Sequence, residues 1–424
     1  MPNLHTIAGV LIFLVTLGIV MARPRGISEA AAAAGGAALM LLGGYVRPAE
    51  AISLLLKDWN VYGFFLGLMA ISALADHAGI FEMLARQACR CARGSGLRLY
   101  MAVFFVGVAI TAFLSNDATA LILTPVVYAL VTRLRLPVMP FMFACTFIAD
   151  TASFVLPVSN PINILVLNSF GGGLSTFLRY LLLPGLFCIG LNIALFVWLF
   201  RRDLRIQFDL ADLPEVKLPD RRLFHFTAAT LILIAVAYVA ASATRFPLSI
   251  VALGGGGLLL AGAYRYRCLN TARLGREISW PLFVFITGMF IVVRAVENLG
   301  LTAAFGRGIL QLADGSPLQA VLITALGTAL GANLINNVPM ALLMISVLGN
   351  IPAGSIKHGM VYATIFGADL GPNLTTVGSL ATMLWLLILR RKGLDISTLE
   401  YFKLGVTVVP VMIVAGSLLI WLKL

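Results

Sequence analysis

Two stretches of this chain repeat one pattern 220 residues apart. In each, a polar pair led by asparagine interrupts an apolar run, Asn116-Asp117 in the first and Asn336-Asn337 in the second. Other residues recur at nearly the same separation: Trp59 with Trp280, Gly67 with Gly288, Asp76 with Glu297, Gly79 with Gly300, and Asp150 with Asp369. The sequence therefore predicts two divergent copies of one unit of about 200 residues.

Composition places both copies in a membrane. Hydrophobic residues make up 60% of the chain and charged residues 11%, whereas soluble domains have about 45–50% apolar and about 25% charged residues. The net charge of +12 is assigned to the loops between spans, so nucleic acid is not an expected partner. The first apolar run continues into others and is interpreted as a first span, not a cleaved signal peptide.

Ten segments fit the length of about 20 apolar residues that crossing a bilayer requires. They are residues 4–22, 28–46, 60–78, 138–167, 176–200, 223–242, 247–264, 280–298, 356–389 and 404–422. Two further apolar stretches, residues 97–132 and 317–350, have second arms too short to span. We predict them to be re-entrant hairpins, whose irregular tips are tolerated only inside protein or beside a cavity.

Each half then holds five crossings and one hairpin, and an odd number of crossings inverts the second half relative to the first. With both termini outside, most of the 30 Lys and Arg residues fall in cytoplasmic loops, as the positive-inside rule requires. The predicted fold is an all-α integral membrane protein of two inverted-topology repeats, residues 1–200 and 223–424. A cytoplasmic linker, residues 201–222, joins them.

Two crossings, residues 138–167 and 356–389, are too long for one simple span and contain proline, which breaks helices. Duplicated halves with matching interruptions are typical of secondary transporters, whose substrate site lies between the repeats near the midplane. We expect two hairpin tips and two broken helices to converge there. The polar residues predicted to contact substrate are Ser115, Asn116, Asn160, Asn163, Asn336, Asn337, Asn373, Thr375 and Ser379.

These polar residues also have structural interpretations. Ser, Asn and Asp are preferred helix N-caps, so the first tip could simply cap the following helix. The remaining amides could hydrogen-bond between helices, which is common in membranes.

Three carboxyl groups lie deep in apolar sequence, Asp117, Asp150 and Asp369. Ionisable groups at membrane depth cost at least about 2.5 kcal/mol, and carboxyl groups buried without a cation tend to hold a proton. We predict that these residues couple transport to protons. The alternative is a buried ion pair, for which Arg294 is the candidate cation.

Other classes of function find little support. The chain has no HExxH or GxSxG motif, and its four His residues lie at span ends or in loops, so an enzyme is not expected. Its five Cys form no metal-ligand pattern, since Cys89-Arg90-Cys91 lacks a second pair, and no metal or cofactor is predicted.

Residues 116–125 and 371–385 resemble the bacterial arsenite and antimonite efflux permease family (ArsB) of the ion transporter superfamily, and the resemblance extends over essentially the whole chain. It implies proton-driven export of arsenite and antimonite across the bacterial inner membrane, and it allows association with a cytoplasmic arsenical ATPase. The chain departs from the family pattern at Thr119, where a small residue is usual, and at Asn373, where lysine is usual. The role of position 373 is therefore open.

The residues alone predict a duplicated secondary transporter with a mostly neutral polar site. Arsenite, a neutral trihydroxide, suits hydroxyl and amide partners. A sodium-coupled dicarboxylate or citrate carrier and a sodium–proton antiporter are the alternatives. The thiols are not expected to be transport ligands, because Cys145 near Asp150 stands alone and a buried Cys usually behaves as a small hydrophobe.

Overall fold

The computed structural model describes residues 4–22, 26–57, 59–209, 220–244 and 246–424, and within these ranges the chain is helical, with one isolated β-bridge between Ser95 and Gln207. The α-helices are α1 (Leu4–Ala22), α2 (Glu29–Leu42), α3 (Pro48–Lys57), α4 (Trp59–His77), α5 (Ile80–Ala92), α6 (Gly96–Phe113), α7 (Asn116–Ala118), α8 (Thr124–Arg133), α9 (Val138–Thr151), α10 (Pro161–Phe170), α11 (Leu174–Leu199), α12 (Arg221–Thr244), α13 (Leu248–Arg265), α14 (Thr271–Glu277), α15 (Trp280–Asn298), α16 (Leu301–Ala313), α17 (Pro317–Ile335), α18 (Asn337–Gly349), α19 (Ser355–Leu370), α20 (Leu380–Arg391) and α21 (Thr398–Trp421).

Within the described ranges, eight helical segments are long and apolar enough to cross a membrane, which makes the chain a multi-pass membrane protein. Six of them are the helices α4, α6, α11, α13, α17 and α21. The other two are residues 221–241, which belong to α12, and residues 271–298, which contain α14 and α15. Shorter apolar helices include α1, α2, α9, α10 and α18. The first arms of the two predicted hairpins, α6 and α17, are themselves of spanning length, so the hairpin paths stay predictions.

The helices of the second half follow the order of those in the first. The pair α5 and α16 shows this most closely, because each has 13 residues and each begins after a glycine with positive φ, 81° at Gly79 and 75° at Gly300. Each ends on a residue in the left-handed region, Arg93 and Asp314. This matching order agrees with the duplication in the sequence, and the relative orientation of the halves stays a prediction.

Helices of the first half pack against helices of the second half, and small residues lie at these contacts. Helix α4 packs along α13, and α2 packs along α15. A Cβ added to Gly67 would meet the backbone of Ala252, and one added to Gly288 would lie 2.6 Å from the carbonyl carbon of Ala33. Small residues that let helices approach closely are typical of membrane bundles, and the contacted residues Ala33 of α2 and Ala252 of α13 are also small.

We expect Gly67→Ala to lower the free energy of unfolding by about 1–3 kcal/mol, because the added methyl group overpacks a backbone contact. Gly257→Ala is the matched control, since a Cβ there meets nothing within 4 Å. Thermal unfolding of the purified protein in detergent measures both changes. Equal midpoints for the two variants would contradict the close approach of α4 and α13.

Candidate functional site

Two helices are interrupted where the sequence predicted breaks. In the first half α9 ends at Thr151 and α10 begins at Pro161, and in the second half α19 ends at Leu370 and α20 begins ten residues later. Asn160 caps α10, its side chain accepting a hydrogen bond from the backbone N–H of Ile162 at 3.1 Å. Ser379 caps α20 by accepting from the backbone N–H of Thr382 at 3.1 Å. The caps explain why both helices restart at these positions.

Each capping residue also donates a hydrogen bond to a carboxyl group of the opposite half. The amide Nδ2 of Asn160 donates to Oδ1 of Asp369 at 2.8 Å. The hydroxyls of Ser379 and Thr382 donate to Oδ2 of Asp150 at 3.4 and 3.3 Å. Both carboxyl groups are buried, with 1% of Asp150 and none of Asp369 exposed. The two broken helices are therefore joined by reciprocal contacts between a cap and a carboxyl group.

Several oxygen atoms of this cluster keep unused acceptor capacity. Five carboxyl and amide oxygens of this cluster are buried and have no hydrogen-bond donor among the described residues: Oδ1 of Asp150, Oδ2 of Asp369, and Oδ1 of Asn163, Asn192 and Asn373. Buried polar groups are nearly always paired. The cluster can therefore accept protons or the hydroxyl groups of a bound solute.

Asn163 and Asn373, the remaining amides predicted in the broken helices, donate hydrogen bonds to the chain segments around the breaks. Asn163 Nδ2 donates to the carbonyl of Ser153 at 2.8 Å. Asn373 Nδ2 donates to the carbonyl of Phe147 at 3.1 Å and to Oγ1 of Thr151 at 3.3 Å. These bonds support the interpretation of Asn163 and Asn373 as structural links, and they leave the amide oxygens free.

The first tip combines capping with access to a cavity. Ser115 Oγ accepts from the N–H of Ala118 at 3.1 Å, so the predicted capping role is present. Asn116 Oδ1 accepts from the N–H of Asp117 at 3.0 Å, and its side chain lies beside the carboxyl group of Asp150. Asp117 is half-buried and lines the cavity. Capping and solute contact are therefore compatible at this tip.

The second tip is held against the backbone that follows α19. Asn336 has φ of 73° and caps α18, while its Nδ2 donates to the carbonyl of Val377 at 3.5 Å. The backbone N–H of Asn337 donates to the carbonyl of Gly378 at 3.0 Å. Thr375 lies in the same segment and donates from Oγ1 to Oδ1 of Asn333 at 2.7 Å. The two tips therefore differ, because only the first lines the cavity.

The cavity has a volume of about 1050 Å³ and extends from the first tip to exposed arginines. Among the predicted site residues it reaches Ser115 and Asp117, and Pro161 of α10 also lines it. The amides of the second half and the buried carboxyl groups of Asp150 and Asp369 are not part of its wall. The predicted residues thus lie in one neighbourhood, but of the two tips only the first borders the cavity.

The ion pairs of the described residues leave the deep aspartates without a cation. Arg294 pairs with Glu50 at 3.3 Å and with Glu297 at 2.9 Å, so the predicted alternative of an ion pair between Arg294 and a deep carboxyl group is wrong. Asp76 pairs with Arg273 at 3.0 Å near a helix end. Neutral donors therefore surround Asp150 and Asp369.

Four residues of this neighbourhood were not predicted from the sequence: Thr151, Asn192, Asn333 and Thr382. Asn192 is a lone amide in the apolar helix α11, and it donates from Nδ2 to Oγ1 of Thr151 at 2.8 Å. That isolated polar residue was the available signal. Asn333 precedes the second tip and donates to the carbonyl of Gly371 at 2.7 Å.

Comparisons with known proteins cover nearly the whole chain. The family model described as arsenical pump membrane protein matches residues 8–422. The arsenical pump membrane proteins of Escherichia coli (strain K12) and Yersinia enterocolitica are each 34% identical over 410 residues, covering 95% of this chain and 96% of the relative. Among solved structures, the Alcanivorax borkumensis YdaH transporter superposes with a TM-score of 0.60 at 13% identity, covering 99% of this chain and 98% of that one. That likeness shows a shared fold.

We expect the contact between Asn160 and Asp369 to be energetically coupled. Asn160→Ser keeps a good N-cap but is too short to hold the carboxyl group, which strands a buried acceptor at a cost of about 1–3 kcal/mol. The loss should be smaller when Asp369→Ala is already present. A double-mutant cycle by thermal unfolding measures the coupling, and additivity within about 0.5 kcal/mol would refute it.

Proposed function

Because the chain belongs to the arsenical pump membrane protein family, we propose that it exports arsenite and antimonite from the bacterial cytoplasm across the inner membrane in exchange for protons. The observation that carries this proposal is the pair of buried carboxyl groups, Asp150 and Asp369, each held by neutral donors and each with one unpaired oxygen. Asp150 lies beside Asn116 of the first tip, and a cavity reaches that tip.

The chemistry of this site suits a neutral, hydroxylated solute. An arsenite or antimonite trihydroxide offers three O–H donors and several acceptors, which match carboxylate, amide and hydroxyl partners such as Asp117, Asn116 and Ser115. A dicarboxylate or citrate would instead bring negative charge beside three carboxyl groups. Since no described cation pairs with any of the three, a neutral substrate fits better.

Exchange with protons follows from competition for the same oxygens. A buried carboxyl oxygen needs a donor, and in this site the donor is either a bound proton or a hydroxyl group of the substrate. A carboxyl group that has given up its proton can accept the substrate, and one that has released the substrate takes a proton from the other side. Asp117, Asp150 and Asp369 are the candidates for this role.

The proposed topology has the second half inverted, both termini outside, and a re-entrant hairpin in each half. Three features support this topology. The helix order repeats, α2 and α4 of the first half pack against α15 and α13 of the second, and the second arms α8 and α18 are short. The arginines at the cavity mouth support a cytoplasmic opening, by the positive-inside rule. The substrate site would then lie near the midplane, exposed to the cytoplasm.

The membrane potential is sufficient to drive this exchange. Moving one proton inward for each neutral substrate outward transfers one charge, which yields about 2.3 kcal/mol per 100 mV. At about 1.4 kcal/mol per tenfold ratio, this sustains a gradient of roughly fiftyfold. The mechanism therefore works without a cytoplasmic arsenical ATPase, although such a partner is compatible with it.

Uptake into everted membrane vesicles under an imposed proton gradient tests the proposal directly. Arsenite and antimonite should accumulate, whereas succinate and sodium should not. Accumulation of succinate or sodium in place of arsenite would favour one of the alternative carriers and reject the proposed substrate.

We expect Asn116→Ala to reduce arsenite export at least about tenfold with normal membrane insertion, because it removes the amide beside Asp150 at the open tip. Asn336→Ala should also impair export. Asn336→Gly distinguishes loss of the amide from backbone strain, because glycine also lacks the amide but adopts the positive φ of this position freely. Initial rates in everted vesicles, normalised to protein by immunoblot, give the effect. Normal rates in both alanine variants would show that the tips do not bind substrate.

Neutralising the coupling carboxyl group should abolish accumulation driven by a proton gradient while leaving downhill exchange. The variants are Asp117→Asn, Asp150→Asn and Asp369→Asn, compared in gradient-driven uptake and in counterflow without a gradient. The reason is that an amide keeps the size of the group but cannot carry the proton. If all three variants still accumulate arsenite, proton coupling lies elsewhere in the chain.

A further inference from the structure

The cavity beneath the first tip is larger and more apolar than a small trihydroxide needs. Its volume of about 1050 Å³ matches sites that bury drug-sized ligands, which have about 300–1,000 Å³. One wall belongs to α4 and the facing wall to the π-helical turn Thr119–Leu123 and α8. Apolar side chains dominate both walls: Phe65, Leu68, Met69, Leu121, Ile122 and Val126. Such walls suit a hydrocarbon chain.

The mouth of the same cavity carries four arginines, Arg86, Arg133, Arg276 and Arg391. The carboxyl groups at the α4 and α14 side of the mouth already have cationic partners. Asp76 pairs with Arg273 at 3.0 Å, and Glu277 pairs with Arg273 at 2.7 Å and with His77 at 2.8 Å. These two acids therefore do little to neutralise the arginines that line the cavity. Glu82, one turn before Arg86 on α5, also lines it, but among the described ion pairs it forms none with Arg86.

Among these arginines, Arg86 has the clearest capacity to bind an anionic group. Its Nε is buried, and no acceptor for it exists within the described part of the chain. Arg276 and Arg391 likewise form no ion pair among the residues that the structure describes. A buried donor without a partner is costly, and the planar guanidinium group matches phosphate oxygens with paired N–H donors.

We propose that this cavity binds an anionic phospholipid, with the phosphate on Arg86 and Arg391 at the mouth and an acyl chain along the apolar wall. The same phosphate chemistry occurs in soluble anions, but these have no use for the wall of α4 and α8. Helix α4, which forms part of the cavity wall, is of membrane-spanning length, so lipid is at hand. A lipid in this place occupies the path to Asp117 and would limit access to the tip.

Native mass spectrometry of the purified chain in detergent, with added phosphatidylglycerol, phosphatidylcholine or inorganic phosphate, tests this site. We expect phosphatidylglycerol to bind in preference to phosphatidylcholine. Arg86→Gln combined with Arg391→Gln should weaken that binding at least about tenfold, because charge-assisted bonds to phosphate are lost. Arg90→Gln is the matched control, since Arg90 lies one turn further along α5, is exposed and does not line the cavity.

A second variant separates the wall from the mouth. Met69→Asn should weaken phosphatidylglycerol binding while leaving any binding of inorganic phosphate unchanged, because it makes the wall polar without altering charge. Size-exclusion profiles and thermal midpoints establish that each variant is folded.

Three results would overturn the proposal. Equal loss of lipid in the Arg90 control would show general surface attraction. Full displacement of phosphatidylglycerol by inorganic phosphate would show a soluble-anion site, and unchanged lipid binding in the double variant would show that these arginines bind no headgroup. None of these readouts depends on transport, so they stand apart from the proposed function.

Discussion

A carboxyl group is stable inside an apolar bundle only when another part of the protein supplies donors to it. Asp150 and Asp369 lie in the last turns of α9 and α19, where helix carbonyls already concentrate negative potential, so their own helices cannot satisfy them. The donors come from the caps of the opposite half, Ser379 and Asn160. The breaks in both helices and the positions of the caps follow from this exchange.

The exchange also ties the first tip to the second half. Asn116 lies beside Asp150, and Asp150 accepts a hydrogen bond from Ser379 at the N-terminus of α20, so a continuous chain of contacts connects the first tip to the opposite repeat. At the second tip, the side chain of Asn336 caps α18 and donates to the backbone carbonyl of Val377, and both contacts lie within its own half. The two tips therefore differ in the observed structure, because residues of the first tip line the cavity and those of the second tip are packed against backbone.

Local features of this arrangement were predictable from the sequence, and the long-range ones were not. The breaks near Pro161 and Ser379 are predictable, because proline and capping residues determine where their own helix begins or ends. The contact of Asn160 with Asp369 joins residues 209 apart in the chain, and no local pattern encodes such a pairing. The sequence did predict a broken crossing over residues 138–167, and the chain forms two helices there, separated by irregular backbone.

Asn373 stands at a position where the resemblance to the family implies lysine, and this difference bears on the charge of the site. Asn373 donates to the carbonyl of Phe147 and to Thr151, the neighbour of Asp150, so a lysine there would bring a positive charge close to that carboxyl group. Asparagine keeps the donor but removes the charge. Among the described residues no cation pairs with Asp150 or Asp369. Under the proposed function, their free oxygens would pair either with protons or with substrate hydroxyl groups, and this shared dependence would couple the two in a single exchange.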